Sequence, residues 1–319
     1  MDNPHAWPGQ VPEHGLFSLA DLEPALIREL STRSVELFHD RNAHARPLDG
    51  RVVGVLFAKT STRTRTAFTV GVVRLGGTAV PFGPNDLQLN TGEALEDTGR
   101  VLGSMLDALV IRSAGPMDDL RVLSRQGRIP VINAMAAQEH PSQGVCDLAT
   151  LRLVFGDPAG VRLLYVGEGN NTAVALAHVL AVIPDARITF ATPAGYGMPE
   201  SELRVAVRRA EAVGGVIQQI HDLALAPEEV DVVYTTRWQT TGTHKVDPAW
   251  REAFRPFHVD SALLDRWPSA SFMHDLPAHR GEEVSGEVLD GARSLAWTQA
   301  SMKLASAMAI LEWAVAPRR

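Results

Sequence analysis

Apolar residues along this chain gather in short unbroken runs that alternate with stretches of helical spacing. Arg51-Val52-Val53-Gly54-Val55-Leu56-Phe57 is one such run; Ala67, Phe68, Val70, Gly71, Val73, Arg74 and Leu75 then recur at helical intervals until Gly76-Gly77 stops them. A continuous apolar run reads as a strand covered on both faces, and the 3.6-residue rhythm after it as the helix that covers it. The alternation continues with strands at Ala108 to Arg112 and Pro130 to Ala134, a helix carrying Asp97-Thr98 that ends near Asp107, and a helix through Asp147-Leu148-Ala149-Thr150-Leu151 that crosses into the second half. There the pattern predicts strands at Arg162 to Gly167, Ala186 to Ala191, Val230 to Tyr234 and Ala270 to His274, with helices at Thr172 to Val182, Glu200 to Ala212 and Gln299 to Ala314. Before all of these, Pro4 to Gly15 reads as irregular, with one helix starting near Ser18 to Leu22 and another over about Ser31 to Asp40. Strands alternating with helices predict an α/β fold of two doubly wound domains, each with a mostly parallel sheet.

Composition narrows the class. At 319 residues and 45% hydrophobic content, the chain can bury two cores, each in a domain of roughly 150 residues. A net charge of −7 argues against a general nucleic-acid binder, which needs a basic face. The single cysteine, Cys146, excludes an internal disulfide and suits a reducing cytoplasm. Met1 to Pro8 has neither the basic start nor the apolar core of a signal peptide, and no apolar run approaches the roughly 20 residues that span a bilayer. The expectation is a soluble cytoplasmic protein, with no membrane partner.

Candidate chemistry begins at Phe57-Ala58-Lys59-Thr60-Ser61-Thr62-Arg63-Thr64-Arg65, between the first strand and its helix. The first N–H groups of a helix lack intrahelical partners and its dipole favours negative charge, so hydroxyls and guanidinium groups placed there converge on an anion such as phosphate. Taken alone, Ser61 or Thr62 is equally an ordinary N-cap, and Arg63 and Arg65 solvated charges. Arg112 stands at the C-terminal end of a second strand, where open α/β sheets place ligands. A third strand leads into Gln138-Glu139-His140-Pro141-Ser142-Gln143.

Ser61-Thr62-Arg63-Thr64-Arg65 after a strand, with His140-Pro141-x-Gln143 further on, resembles the aspartate and ornithine carbamoyltransferase family, and the likeness extends over nearly the whole chain. It implies the carbamoyltransferase fold, with a carbamoyl-phosphate-binding domain over residues 1–148, an acceptor-binding domain over 149–298, and a C-terminal helix (299–319) packing back on the first. It also implies that Ser61, Thr62, Arg63 and Thr64 hold the phosphate, that Arg112 and His140 donate to the carbamoyl oxygen together with Thr64, and that Gln143 orients the carbamoyl amide. Gln88, in the polar loop Gly83 to Glu93, matches a residue lent to the neighbouring subunit's phosphate, which implies a homotrimer; an ordinary loop amide is the other reading. No metal or organic cofactor is implied.

The acceptor half departs from the ornithine enzymes that the chain mostly resembles. Val166-Gly167-Glu168-Gly169-Asn170-Asn171 is similar to their Gly-Asp-x-Asn-Asn turn, with Asn171 at the position that contacts the acceptor's α-carboxylate. Gly167-x-Gly169 is a weak match to a dinucleotide loop, since Thr172 replaces the third glycine of Gly-x-Gly-x-x-Gly. Where ornithine enzymes have Asp-x-Trp-x-Ser-Met-Gly, this chain has Thr236-Arg237-Trp238-Gln239-Thr240-Thr241-Gly242. A threonine at 236 cannot replace the charge-assisted bond of an aspartate, while Thr236-Arg237-x-Gln239 resembles the carboxylate grip of aspartate carbamoyltransferases. His274-Asp275-Leu276-Pro277 stands where ornithine enzymes have His-Cys-Leu-Pro: the Leu276 carbonyl would bind the carbamoyl NH₂, and Asp275 places a carboxylate near the attacking amine, unless it only caps the turn. Ser301-Met302-Lys303 replaces Glu-Asn-Arg, so Lys303 keeps the charge that reaches carbamoyl phosphate but not the fork. These changes point to a diamino-acid-type acceptor other than ornithine. An aspartate-type acceptor gripped by Arg237 and Gln239, and a non-catalytic binding homologue, are the alternatives.

Overall fold

Among the described residues, ten parallel strands, five in each of two sheets, grow from the apolar runs. The computed structural model describes residues 15–40, 46–240 and 242–315; the expected irregular start before Gly15, Thr241 and residues 316–319 lie outside them. In the first sheet β1 (Gly15–Leu16), β2 (Val52–Phe57), β3 (Thr78–Phe82), β4 (Ala108–Arg112) and β5 (Val131–Asn133) pair in the order β1-β5-β4-β2-β3. In the second, β6 (Arg162–Val166), β7 (Arg187–Ala191), β8 (Val216–Ile220), β9 (Val232–Thr235) and β10 (Ser271–His274) pair in the order β10-β9-β6-β7-β8. Strand order therefore reverses between β2 and β4 and again between β6 and β9. Crevices at such reversals, beyond the carboxyl ends of the strands, are where α/β sheets bind ligands.

The helices are α1 (Pro24–His39), α2 (Arg63–Arg74), α3 (Leu95–Gly103), α4 (Met117–Gly127), α5 (Pro141–Phe155), α6 (Asn171–Leu180) and α7 (Glu200–Glu211). Three short turns of helix follow, α8 (Trp250–Phe254), α9 (Ser261–Leu264) and α10 (Gly286–Asp290), before the long α11 (Ala296–Val315). Central strands β2, β4, β6 and β9 are buried almost throughout, as their unbroken apolar runs require. α5 is buried continuously from Pro141 to Leu151, packed by α1, α6 and α11. α11 also packs on α2, where Met308 and Leu311 close over Gly71.

Several expectations need correction. The first two helices are a 3₁₀ turn, Leu19–Asp21, and one continuous helix, because Pro24 at its first turn starts α1 well before Ser31. Gly15 belongs to edge strand β1, not to an irregular segment. The helix carrying Asp97-Thr98 stops at Gly103, where an added Cβ would meet Gly127 O at 2.0 Å, so α3 and α4 approach backbone to backbone. α4 and the edge strand β8 were not anticipated.

Candidate active site

The two strand-order reversals face each other across one cleft. Thr60, Ser61, Thr62, Arg63 and Thr64 enter it from the β2–α2 turn, Arg112 from the end of β4, and His140 and Gln143 from the start of α5. The second half contributes Asn170, Asn171 and Thr172 after β6, Thr236, Arg237 and Thr240 after β9, and Asp275, Leu276 and Pro277 after β10; Lys303 reaches in from α11. The cleft encloses about 200 Å³.

Thr62, at the cap position of α2, makes no side-chain cap hydrogen bond, so the N-cap role is not what occupies it. Thr64 is buried and Arg63 half-buried. Burial holds the Arg63 guanidinium below the usual arginine range, and lowers Arg112 to about 10, with the Asp275 carboxylate opposing both shifts. Both remain cations at neutral pH.

His140 differs from expectation in one respect. Arg112 Nη1 lies 3.3 Å from His140 Nε2, and arginine has no acceptor atom, so here Nε2 accepts and the ring proton sits on Nδ1, which faces Ser142 Oγ at 3.3 Å. Donation from His140 into the cleft requires the other tautomer, with Ser142 donating to Nδ1. Burial, then Arg112 and Lys303, push the His140 pKa well below the usual histidine value, so the ring is neutral in either form.

Beneath the cleft lies a buried polar chain that the sequence did not reveal. Lys303 Nζ donates to Gln143 Oε1; Gln143 Nε2 donates to Asp147 Oδ1 at 2.7 Å. Gln299 Nε2 donates to the same oxygen at 2.6 Å, and Tyr234 OH donates to Asp147 Oδ2 at 3.1 Å. Burial raises the Asp147 pKa to about 7, against the lowering pull of the Gln143 hydrogen bond and Lys303. Burial likewise lowers Lys303 and pushes the Cys146 thiol up to about 12, so this cysteine is not a nucleophile.

Asp275 is held by two hydroxyls, Thr236 Oγ1 at 2.8 Å and Thr172 Oγ1 at 3.1 Å. His274 Nδ1 approaches it at 3.5 Å but accepts the Leu276 N–H at 2.8 Å, which places the His274 proton on Nε2, toward Glu283 Oε1; His274 and Asp275 are therefore not an ion pair. Two expected site residues lie elsewhere. Gln88 is exposed in a 3₁₀ turn, its Oε1 accepting from Thr91 Oγ1 at 2.9 Å, and Gln239 spends its amide on Thr243 O at 2.9 Å. Among the described residues, His279, Glu282 and Glu283 bring metal-type ligand atoms within 4.8 Å of one another, but Glu283 Oε1 is already taken by His274 and by the His279 N–H.

Family models match both halves: the aspartate/ornithine carbamoyltransferase carbamoyl-P binding domain over residues 14–153, and the Asp/Orn binding domain over residues 159–314. The chain belongs to the aspartate/ornithine carbamoyltransferase family. It is 37% identical over 303 residues to an ornithine carbamoyltransferase of Methylococcus capsulatus, covering 95% of this chain and 98% of that one. With an ornithine carbamoyltransferase of Acidothermus cellulolyticus it shares 40% over 295 residues, 92% and 94% of the two chains. Among solved structures, ornithine carbamoyltransferase from Pyrococcus furiosus superposes with a TM-score of 0.89 at 33% identity, covering 96% of this chain and 98% of that one. The Gloeobacter violaceus enzyme superposes with a TM-score of 0.84 at 34% identity, over 95% and 99%. The chain is thus a carbamoyltransferase in fold and enzyme class, and no helix among its described residues is long and apolar enough to cross a membrane.

Proposed function

We propose that this carbamoyltransferase moves the carbamoyl group of carbamoyl phosphate onto an amino acid that offers an ammonium to Asp275 and a carboxylate to Arg237. The residues of the first half, up to about 148, with α11 behind them, bind the phosphate; those of 149–298 bind the acceptor. The observation that carries the reading is that cations and hydroxyls from β2–α2, β4 and α11, with a neutral imidazole and an amide from α5, line one cleft whose opposite wall bears a hydroxyl-held carboxylate.

In this reading Ser61, Thr62, Arg63 and Thr64 hold the phosphate at the N-terminus of α2. Arg112, Thr64 and His140, the last in its Nε2–H form, donate to the carbamoyl oxygen as it gains charge. Gln143 is locked by Lys303 and Asp147, leaving a second lone pair on Oε1 to accept from the carbamoyl NH₂, alongside the Leu276 carbonyl. A neutral amine forms a C–N bond to the carbamoyl carbon, the C–O bond to phosphate breaks, and the departing phosphate takes up the amine's proton. Lys303 stabilises the phosphate as a point charge. Asn171 and Thr240 complete the acceptor wall.

Asp275 at this position, with Thr236 in place of an anion, favours a diamino acid of different reach from ornithine. A second reading, an aspartate-type acceptor, keeps Arg237 in the cleft but loses Gln239, which is engaged with Thr243. Phosphate release from carbamoyl phosphate across a panel of amines is the test. Fastest turnover with a diamino acid other than ornithine is the expected result. Ornithine as the best acceptor refutes the altered pocket, aspartate as the best supports the second reading, and no turnover with any amine leaves a binding homologue. We further propose a homotrimer in which Gln88 serves a neighbour's cleft, motivated by its exposure and its absence from its own.

A further inference from the structure

Thr236, Arg237 and Thr240 ride on the segment between β9 and α8, residues 236–249, whose described residues include no helix or strand. Within it stands Lys245. Its Nζ donates to Glu168 Oε1, in the turn after β6, and lies over the rings of Tyr196, Trp250 and Phe254 at 5.1, 5.2 and 5.1 Å. The Lys245 side chain is 6% exposed and that of Glu168 17%. Lysine ordinarily keeps its ammonium in water, and an anion with ring faces around it offsets part of the cost of burying it.

Glu168 has a second attachment. Its Oε2 accepts from Thr240 Oγ1 at 3.2 Å, and Thr240 Oγ1 accepts from Asn170 Nδ2 at 2.9 Å. Asn170 caps α6 through the N–H groups of Thr172 and Ala173, and the Thr172 hydroxyl holds Asp275. On the other side, Gly242 (φ +89) is lodged against the first half, where an added Cβ would come within 3.1 Å of Ala114 Cβ and 3.5 Å of Lys59 Cε. An unbroken run of polar contacts thus joins the aromatic cage to the carboxylate in the cleft.

We propose that the caged Lys245–Glu168 ion pair is a positioning clasp: it holds residues 236–249 so that Arg237 and Thr240 meet the acceptor, and it sets acceptor recognition without acting on the phosphate end of the cleft. The clasp rests on the acceptor reading above. An apolar residue at 245 would fill the cage but would leave the largely buried Glu168 carboxylate without its counter-ion, loosening its hold on Thr240.

The test uses the full chain with Lys245→Met, Glu168→Gln, the double variant and Lys245→Arg. Hydrogen exchange read by mass spectrometry is expected to quicken by about tenfold over residues 236–249 in each single variant, no further in the double, and not at all in α2. Lys245→Arg restores protection. With the fastest amine of the panel, acceptor KM rises by about tenfold while KM for carbamoyl phosphate stays within about twofold. Unchanged exchange overturns the clasp, and so does an equal rise in both KM values, which is what general loosening would give. If no amine is turned over, the functional reading fails by itself and the exchange arm still decides whether Lys245 secures the segment.

Discussion

In the proposed function Arg63 holds the phosphate; it is half-buried at the mouth of α2 with its charge partly desolvated. Losing one hydrogen bond to a charged group costs about 1.5–3 kcal/mol, so Arg63→Ala is expected to weaken carbamoyl-phosphate binding by roughly 10- to 100-fold in calorimetry with little change in melting temperature. Asp147 offers a prediction of another kind. Burial raises its pKa from 3.8 to about 7, so across that window the folded chain holds a proton that the unfolded chain has released, and this group's contribution to stability falls as pH rises. Asp147→Asn cannot titrate; its urea midpoint should gain on the parent protein's between about pH 5 and about pH 7, and a constant difference would refute the assignment. Neither Asp147 nor the Thr172–Asp275 contact was legible beforehand. Asp147 looked like any polar position on a helix, and 172 and 275 lie far apart in sequence; only the fold supplies their neighbours. Ser61 to Arg65 and His140 to Gln143 were legible because strand, turn and helix start are contiguous, so the motif carries its own geometry.

At the level of elements, continuous apolar runs located the central strands to within a residue or two, because a strand covered on both faces has no polar position to blur it. Edges were harder to see. β8, Val-Ile-Gln-Gln-Ile, is half solvated, and α4 buries only Leu120, Leu123, Ser124 and Gly127 behind a first turn of acids. Close helix contact was equally invisible. An added Cβ on Gly144 of α5 would stand 2.6 Å from Leu19 Cδ1 and 2.9 Å from Ala175 O, and a backbone oxygen in α6 cannot turn aside. Gly144→Ala should cost about 1–3 kcal/mol in urea unfolding, whereas Gly286→Ala, whose nearest neighbours are Arg280 side-chain atoms at 3.7 and 3.8 Å, should be silent.

For the molecule as a whole, the proposed trimer makes a prediction that no single subunit can satisfy. Gln88→Ala and Arg63→Ala, each nearly inactive alone, should regain activity when mixed and allowed to exchange subunits, to roughly a quarter of the parent rate if partners mix at random. No recovery would mean each cleft is complete in its own chain. The two halves are also less separable than two sheets suggest. Since α5 is enclosed from Pro141 to Leu151 by helices on both sides, excising either half would strip a greasy rod bare. Each half expressed alone is therefore expected to aggregate, and the two fragments to stay in solution only when produced together, which co-expression followed by light scattering would check.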